Sequence, residues 1–407
     1  MTFELSAFAT RVRTFIAAFG SDAVGEGRLT ANSQPGTRNS QLQHESHGAG
    51  CHDNEFPKLA LELFALQFSR NAAYRKFCEA RRVTPLTISD WSQIPALPTA
   101  AFKELEVTSL AEAERSCVFH SSGTTEQRPS RHFHNAESLA VYEASLWAWF
   151  VAQVVGDLRF TIYDLRVVSL TPPPAQAPHS SLVHMFGGLH QKLGADEAAF
   201  CGRLAADGAW TLDVDQTLAR LQSTESGGSP LLLMGTAFSF VHLLDGMLER
   251  QIRLQLPPGS LVMETGGYKG RSRELPKAEL HQLITERLGV ARPEIVCEYG
   301  MSELSSQAYE SVSGAGSQVS GEASRITHHA SRCFHFPPWA RAQIISPETG
   351  REVADGETGL IRVFDLANVF SVMAIQTEDL AVRRGRGFEL LGRAALAEPR
   401  GCSLMAV

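Results

Sequence analysis

Apolar residues at helical spacing open the chain: Phe3, Phe8, Val12, Phe15, Ile16 and Phe19 predict an amphipathic helix over residues 3–19. Residues 20–54 then lose large apolar side chains, and Gly, Ser, Asn, Gln and His dominate. That composition predicts a flexible, disordered insertion. Helical periodicity resumes over 58–81, with Leu59, Leu63, Leu66 and Phe77 as core positions. A proline-bounded connector follows at 94–98, then a short apolar run at 117–122 that feeds a glycine-bearing turn, then a helix over 136–153. From there strand-like runs at 166–170, 231–234, 261–264 and 294–298 alternate with helical stretches such as 237–250 and 274–288. This alternation predicts an α/β sheet core. Toward the end, 342–346, 359–364, 369–377 and 380–383 are short strand candidates. They are separated by turns with Gly and Asp chemistry, including Glu348-Thr349-Gly350 and Asp355-Gly356. The pattern divides the chain into an N-terminal helix with a polar insertion (1–55), an α/β core (56–340) and a small β-rich subdomain (341–407). No internal repeat is evident.

Composition narrows the class. The 407 residues are 43% hydrophobic, which excludes a wholly disordered chain and supports a sizeable core. The formal net charge of −7 argues against a dedicated nucleic-acid binder. Seven cysteines occur at wide spacings without a C-x-x-C pair, so a zinc ribbon or redox motif is not expected. Glu4, Arg11 and Arg13 interrupt the apolar residues of the start, which argues against a signal peptide and for a cytoplasmic protein with free thiols. The most apolar stretches are 230–248, with Gly235, His242 and Asp245, and 136–155, with Glu137 and Glu143; both are expected as core rather than transmembrane segments.

Five constellations could carry chemistry. Ser121, Ser122, Gly123, Thr124 and Thr125, followed by Arg128 and Arg131, combine hydroxyls, a glycine and cations as a phosphate-binding turn would. A solvated Ser/Thr turn accounts for the same composition, and the string is not the G-x-x-x-x-G-K-[ST] loop. Glu298 to Glu303 reads Glu-Tyr-Gly-Met-Ser-Glu after a strand-like run, a place for a carboxylate to hold Mg²⁺ beside phosphates, or for an ordinary buried tyrosine and surface glutamate. Gly266 and Gly267 allow close backbone approach to a ligand, or simply a strand-to-helix turn. Asp379 could bind ribose hydroxyls, while Arg393 and Cys402 follow it; a thiol near the cation Arg400 could be a nucleophile or idle. His44, His47, Cys51 and His52 have metal-ligand chemistry, but a polar loop lacks the supporting shell of a metal site.

The order of these strings changes their weight. SSGTT with a downstream Arg131, then HMFGG, TGGYKG, EYGMSE, GLIRV, TED and GR follow the motif order of adenylate-forming enzymes. More closely, the chain resembles the LuxE-type acyl-protein synthetase family through Ser121 to Thr125 with Arg131, Tyr299 to Glu303 followed by Ser305-Ser306-Gln307, and Arg400-Gly401-Cys402-Ser403-Leu404. The similarity covers roughly residues 56 to 407.

The resemblance implies an adenylate-forming, acyl-CoA synthetase-like α/β core with a small β-rich subdomain. It implies that Ser121, Ser122, Gly123, Thr124 and Thr125 cover the ATP phosphates and that Arg131 supplies a nearby cation. Gly266, Gly267, Tyr299, Gly300 and Met301 would line the nucleotide slot. Ser302 would touch the α-phosphate, Glu303 would bind Mg²⁺, Asp379 would hold the ribose and Arg393 would lie beside ribose and phosphate. His184 would line the acyl pocket, to which apolar residues of 231–248 could contribute. Two departures stand out. Glu126 replaces the usual glycine of the phosphate loop, and the sequence runs only fourteen residues past Arg393, where common superfamily members carry a mobile subdomain with an adenylation lysine.

The implied activity is ATP- and Mg²⁺-dependent conversion of a fatty acid, or another carboxylic acid, to an acyl-adenylate. Transfer to Cys402 as a thioester would follow, for delivery to an acyl-accepting protein such as a reductase. The alternatives are a carboxylate ligase serving coenzyme A, an acyl carrier protein or an amine, and a degenerate nucleotide-binding protein. No nucleic-acid partner and no transmembrane segment are expected.

Overall fold

The computed structural model describes residues 3–23, 48–121, 128–156, 165–206, 208–267, 273–312 and 332–394. In chain order the helices are α1 (Phe3–Ala23), α2 (Gly48–Arg70), α3 (Ala72–Ala80), α4 (Ala101–Glu104), α5 (Ala136–Phe150), α6 (Ser181–Lys192), α7 (Val214–Gly227), α8 (Ala237–Glu249) and α9 (Lys277–Leu288). The strands are β1 (Leu97–Pro98), β2 (Cys117–His120), β3 (Arg131–His134), β4 (Arg166–Ser169), β5 (Gly202–Leu204), β6 (Trp210–Leu212), β7 (Leu231–Thr236), β8 (Leu261–Thr265) and β9 (Ile295–Tyr299). They continue with β10 (Ala308–Val312), β11 (Arg332–His335), β12 (Ala340–Ile345), β13 (Thr358–Asp365), β14 (Ala374–Arg384) and β15 (Gly387–Arg393).

One large mixed sheet runs β12-β13-β14-β15-β11-β10-β9-β8-β7-β4, with β1 added in parallel to β14. β4, β7, β8 and β9 are parallel neighbours, whereas β9 through β15 pair antiparallel. All six residues of β7 are buried, as expected of a parallel strand covered on both faces. Leu231, Leu233, Val262 and Ile295 pack with α7, α8 and α9. Leu232, Met234, Met263 and Val296 join the larger cluster that includes α1, α2, α5 and α6. The expected acyl-pocket stretch 231–248 is thus β7 and α8, whose apolar side chains largely serve the second core. The stretch Ala136–Val155 is long and apolar enough to cross a bilayer, yet half of it is buried here, with Val141, Leu146 and Phe150 in the larger core.

Several sequence expectations change in detail. The polar insertion is helical at both margins: α1 runs to Ala23 and α2 begins at Gly48, inside the segment expected to be disordered. Residues 24–47 lie outside the described residues, as do the side chains of Cys51 and His52. The single helix expected over 58–81 breaks at Asn71, whose side chain accepts from the Tyr74 amide at 3.1 Å and caps α3. The strands expected at 369–377 and 380–383 are one strand, β14, and 369–373 form a buried turn before it. The β-rich part shares the large sheet, because β15 pairs with β11 and so joins β12–β14 to the parallel strands.

Candidate active site

The site is assembled where β8 and β9 end, the usual ligand-binding edge of parallel strands. After β8 the backbone turns through Gly266, whose φ of +72° favours glycine, and Gly267, around which a side chain would meet nothing. After β9, the segment 300–307 carries Met301, Ser302 and Glu303. At Gly300 an added Cβ would lie 2.3 Å from Glu298 Oε1, so a side chain there would displace the Glu298 carboxyl.

Tyr299 is buried with its ring against Phe334, Phe336 and Phe388, whose centroids lie 5.5–6.2 Å away. Its hydroxyl donates to Asp379 Oδ2 at 2.8 Å. Asp379 stands opposite Arg393 in the β14–β15 pairing, and Arg393 Nε lies 3.8 Å from Asp379 Oδ1. The Arg393 side chain is 77% exposed, so this ion pair is weak and the guanidinium is free to meet a ligand. Burial pushes the Asp379 carboxyl above its ordinary range, and the Tyr299 bond and Arg393 oppose that shift. Three residues predicted to touch the nucleoside therefore meet at one place.

A second group forms beside it. Ser302 Oγ donates to Glu303 Oε2 at 3.0 Å and lies 3.3 Å from Ser130 Oγ. The Ser302 carbonyl accepts from His132 Nδ1 at 2.8 Å, which fixes that nitrogen as the protonated one. Burial lowers His132 to about 4, so the ring is neutral near pH 7. Ser130 also ties the start of the predicted phosphate loop: its amide donates to Ser121 Oγ at 3.0 Å and its Oγ accepts from the Ser121 amide at 3.3 Å. Ser122, Gly123, Thr124, Thr125 and Cys402 lie outside the described residues. Arg131 is on β3, where its ion-pair partner is Glu106 at 3.6 Å. A phosphate role for Arg131 therefore requires exchange of that contact.

Sequence reasoning did not single out Ser130 and His132. Nor did it find the buried clamp beneath 300–307. Asp365 accepts from the Ser305 amide at 2.9 Å, from Ser306 Oγ at 2.7 Å and from the Ala367 amide at 3.0 Å. Asn368 Nδ2 donates to the Glu303 carbonyl at 2.8 Å. Gln67, from α2, donates to the Asn368 carbonyl at 2.7 Å and accepts from the Met373 amide. The available signal was an Asp and an Asn inside the apolar run Phe364 to Phe370, where a buried polar residue must find partners.

His184 lies on α6 between Phe119 and Tyr142, at centroid distances of 5.2 and 5.4 Å, with Glu143 Oε1 3.4 Å from its Nε2. Phe119 and His134 continue this aromatic group to His132, and hence to Ser302. Glu298, also buried, accepts from Thr265 Oγ1; burial lifts its carboxyl to about 7, further raised by Glu264 and opposed by Thr265. A cavity of about 420 Å³ lies elsewhere, lined by Ile16, Ala144, Trp147 and Lys192 among others, and none of the nucleotide-site residues borders it.

A Mg²⁺ ion fits the chemistry of the Ser302–Glu303 pair. Glu303 is buried, no Lys, Arg or His lies within 4.0 Å of its carboxylate among the described residues, and the donors present are hard oxygens.

A family model described as acyl-protein synthetase, LuxE, matches residues 51–406. Long-chain-fatty-acid–luciferin-component ligases of Vibrio harveyi and Aliivibrio fischeri are each 23% identical to the chain, over 363 and 359 residues. Each alignment covers 85% of this chain and 86% of the relative. Among solved structures, 2-hydroxyisobutyryl-CoA ligase with 2-HIB-AMP in the postadenylation state is similar with a TM-score of 0.57 and 15% identity, covering 84% of this chain and 68% of that one. An open conformation of 2-hydroxyisobutyryl-CoA ligase with 2-HIB-AMP and CoA gives a TM-score of 0.54 at 13% identity, covering 84% and 70%. These likenesses show the fold, that of the adenylate-forming acyl-CoA ligases.

Proposed function

The chain belongs to the LuxE acyl-protein synthetase family, and from that premise we propose that it activates a long-chain fatty acid with ATP and then transfers the acyl group to its own Cys402. In the first step a carboxylate oxygen attacks the α-phosphorus of ATP. The bond to the bridging oxygen breaks and pyrophosphate leaves, giving the acyl-adenylate. In the second step the Cys402 thiolate attacks the acyl carbonyl and AMP leaves with the bonding pair, while the thiol proton goes to solvent. An acyl-accepting protein of the reductase class then takes the thioester.

The observation that carries the reading is the convergence of Tyr299, Asp379 and Arg393 beside Ser302 and Glu303 at the end of β9. Asp379 presents an acceptor to ribose hydroxyls, and Arg393 stands beside it with its guanidinium exposed. Ser302 supplies a hydroxyl for the α-phosphate. Mg²⁺ held by Glu303 would offset the negative charge of the phosphates. The remaining work is positioning and charge stabilisation, for which fixed donors at a buried edge are suited. The neutral His132 holds the Ser302 carbonyl and thereby sets the direction of its side chain. The acyl chain is assigned to the side of His184, Phe119 and Tyr142.

The test of the first step is fatty-acid-dependent ATP–pyrophosphate exchange over a series of chain lengths. The reading expects exchange that rises with chain length and falls at least tenfold in Asp379→Ala. Absence of exchange with every acid would leave a nucleotide binder instead. If exchange occurs but only coenzyme A, an acyl carrier protein or an amine discharges the adenylate, the self-acylation step is wrong.

A further inference from the structure

Beneath the nucleotide-binding turns three side chains with metal-ligand chemistry converge. Glu264 of β8 and Cys297 of β9 are partners in the parallel pairing, and His281 comes from α9 above them. Cys297 Sγ lies 3.1 Å from Glu264 Oε2 and 3.7 Å from His281 Nε2, and His281 Nε2 lies 3.4 Å from the same Glu264 oxygen. Zinc bonds of about 2.0–2.1 Å to N and O and about 2.3 Å to S, at tetrahedral angles, place ligand atoms roughly 3.3–3.6 Å apart. The observed triangle has nearly that size. All three residues are buried, His281 completely.

We propose that Glu264, His281 and Cys297, with a water as fourth ligand, bind a divalent transition-metal ion, Zn²⁺ by its donor set, which clamps α9 to the ends of β8 and β9. The mixture of thiolate, imidazole and carboxylate selects Zn²⁺ over Mg²⁺ or Ca²⁺, which take oxygen ligands. Burial and the neighbouring Glu264 push the Cys297 thiol up, and without metal it donates to Glu264 Oε2; a bound ion would have to displace that proton to gain two anionic ligands. Metal entry forms the Cys297 S–metal bond and releases the thiol proton to solvent. Lys277 and Arg332 both act electrostatically on Cys297; the Lys277 ammonium is paired with Glu310 at 2.6 Å, and Arg332 lies on the far carboxylate oxygen of Glu310 at 3.4 Å.

The position gives the ion a consequence. Glu264 immediately precedes Thr265, Gly266 and Gly267, and Cys297 stands two residues before Tyr299. A bound ion would hold both nucleotide-site strands in register on α9, as a structural site separate from the Ser302–Glu303 pair.

The experiment uses the full chain, stripped with chelator and titrated with Zn²⁺ and then with Co²⁺ as a spectroscopic probe. The expected result is about one Zn²⁺ per chain by elemental mass spectrometry, with a thiolate-to-cobalt band and tetrahedral d–d absorption for the Co²⁺ form. Stoichiometry should fall at least fivefold in Cys297→Ser and in His281→Gln. It should be unchanged in Cys78→Ser and in Cys51→Ser, the latter probing the His- and Cys-bearing N-terminal segment. A folded wild-type chain that takes up neither metal, or uptake lost in Cys51→Ser and kept in Cys297→Ser, overturns the proposal. Should Cys297→Ser or His281→Gln fail to fold, the wild-type titration and the Cys51→Ser comparison still decide it.

Discussion

Tyr299 and Asp379 are 80 residues apart in sequence, and their 2.8 Å hydrogen bond brings two residues of the proposed nucleotide site together before any ligand is considered. Tyr299→Phe removes the donor and leaves a partly buried carboxylate with one partner fewer. Hydrogen bonds to charged groups contribute about 1.5–3 kcal/mol, so urea denaturation should show a loss of that order, and ATP binding should weaken with it. Unchanged stability would mean that Asp379 is solvated in solution. Glu298 gives a second prediction at this scale, through pH. Its folded carboxyl sits at about 7 against an ordinary 4.5, so the folded state holds a proton that the unfolded chain releases. The associated stability is complete below about pH 4.5 and is lost as pH rises through about 7, a change of at most about 3 kcal/mol. Glu298→Gln keeps an acceptor for Thr265 and removes the titration. Its unfolding free energy should vary less between pH 5 and 7.5 than the wild type's; the same slope in both would assign the effect to another group.

At the scale of elements, the segment 300–307 is held from two sides. His132 of β3 holds the Ser302 carbonyl, and Asp365 and Asn368 hold Ser305, Ser306 and Glu303. Asp365→Ala strands two amides and a hydroxyl, each costing about 1–3 kcal/mol when buried and unpaired. The expected outcome is a melting temperature lowered by several degrees and a larger fractional loss of pyrophosphate exchange than of folded protein. Equal losses would make the clamp purely structural. The parallel strands were legible in the sequence because buried runs such as Leu231 to Met234 need no partner to be recognised. Helix α6 was hidden by the Gly187-Gly188 pair and β3 by its polar composition, whereas β2 lies in the apolar run noted at 117–122. The break at Asn71 was hidden for another reason: its amide turns toward Ser371, 300 residues away. The proposed site residues Tyr299, Ser302, Glu303 and Asp379 were picked out by motif order, whereas Ser130 and His132 owe their place to contacts across 172 and 170 residues. No local pattern encodes such a contact.

For the whole molecule, the continuous sheet explains how distant strings make one site. β9 delivers Tyr299 from the parallel half, while β14 and β15 deliver Asp379 and Arg393 from the antiparallel half, and β10 and β11 join the two. On the proposed reading the adenylation residues lie on this sheet and Cys402 acts only at the second step. Cys402→Ala should therefore leave fatty-acid-dependent pyrophosphate exchange within about twofold of wild type. The most direct measurement combines radiolabelled long-chain fatty acid, ATP and Mg²⁺ with intact-mass and label analysis of the wild type and Cys402→Ala. The account predicts one hydroxylamine-labile acyl group on the wild-type chain and none on Cys402→Ala; label retained on Cys402→Ala would contradict it.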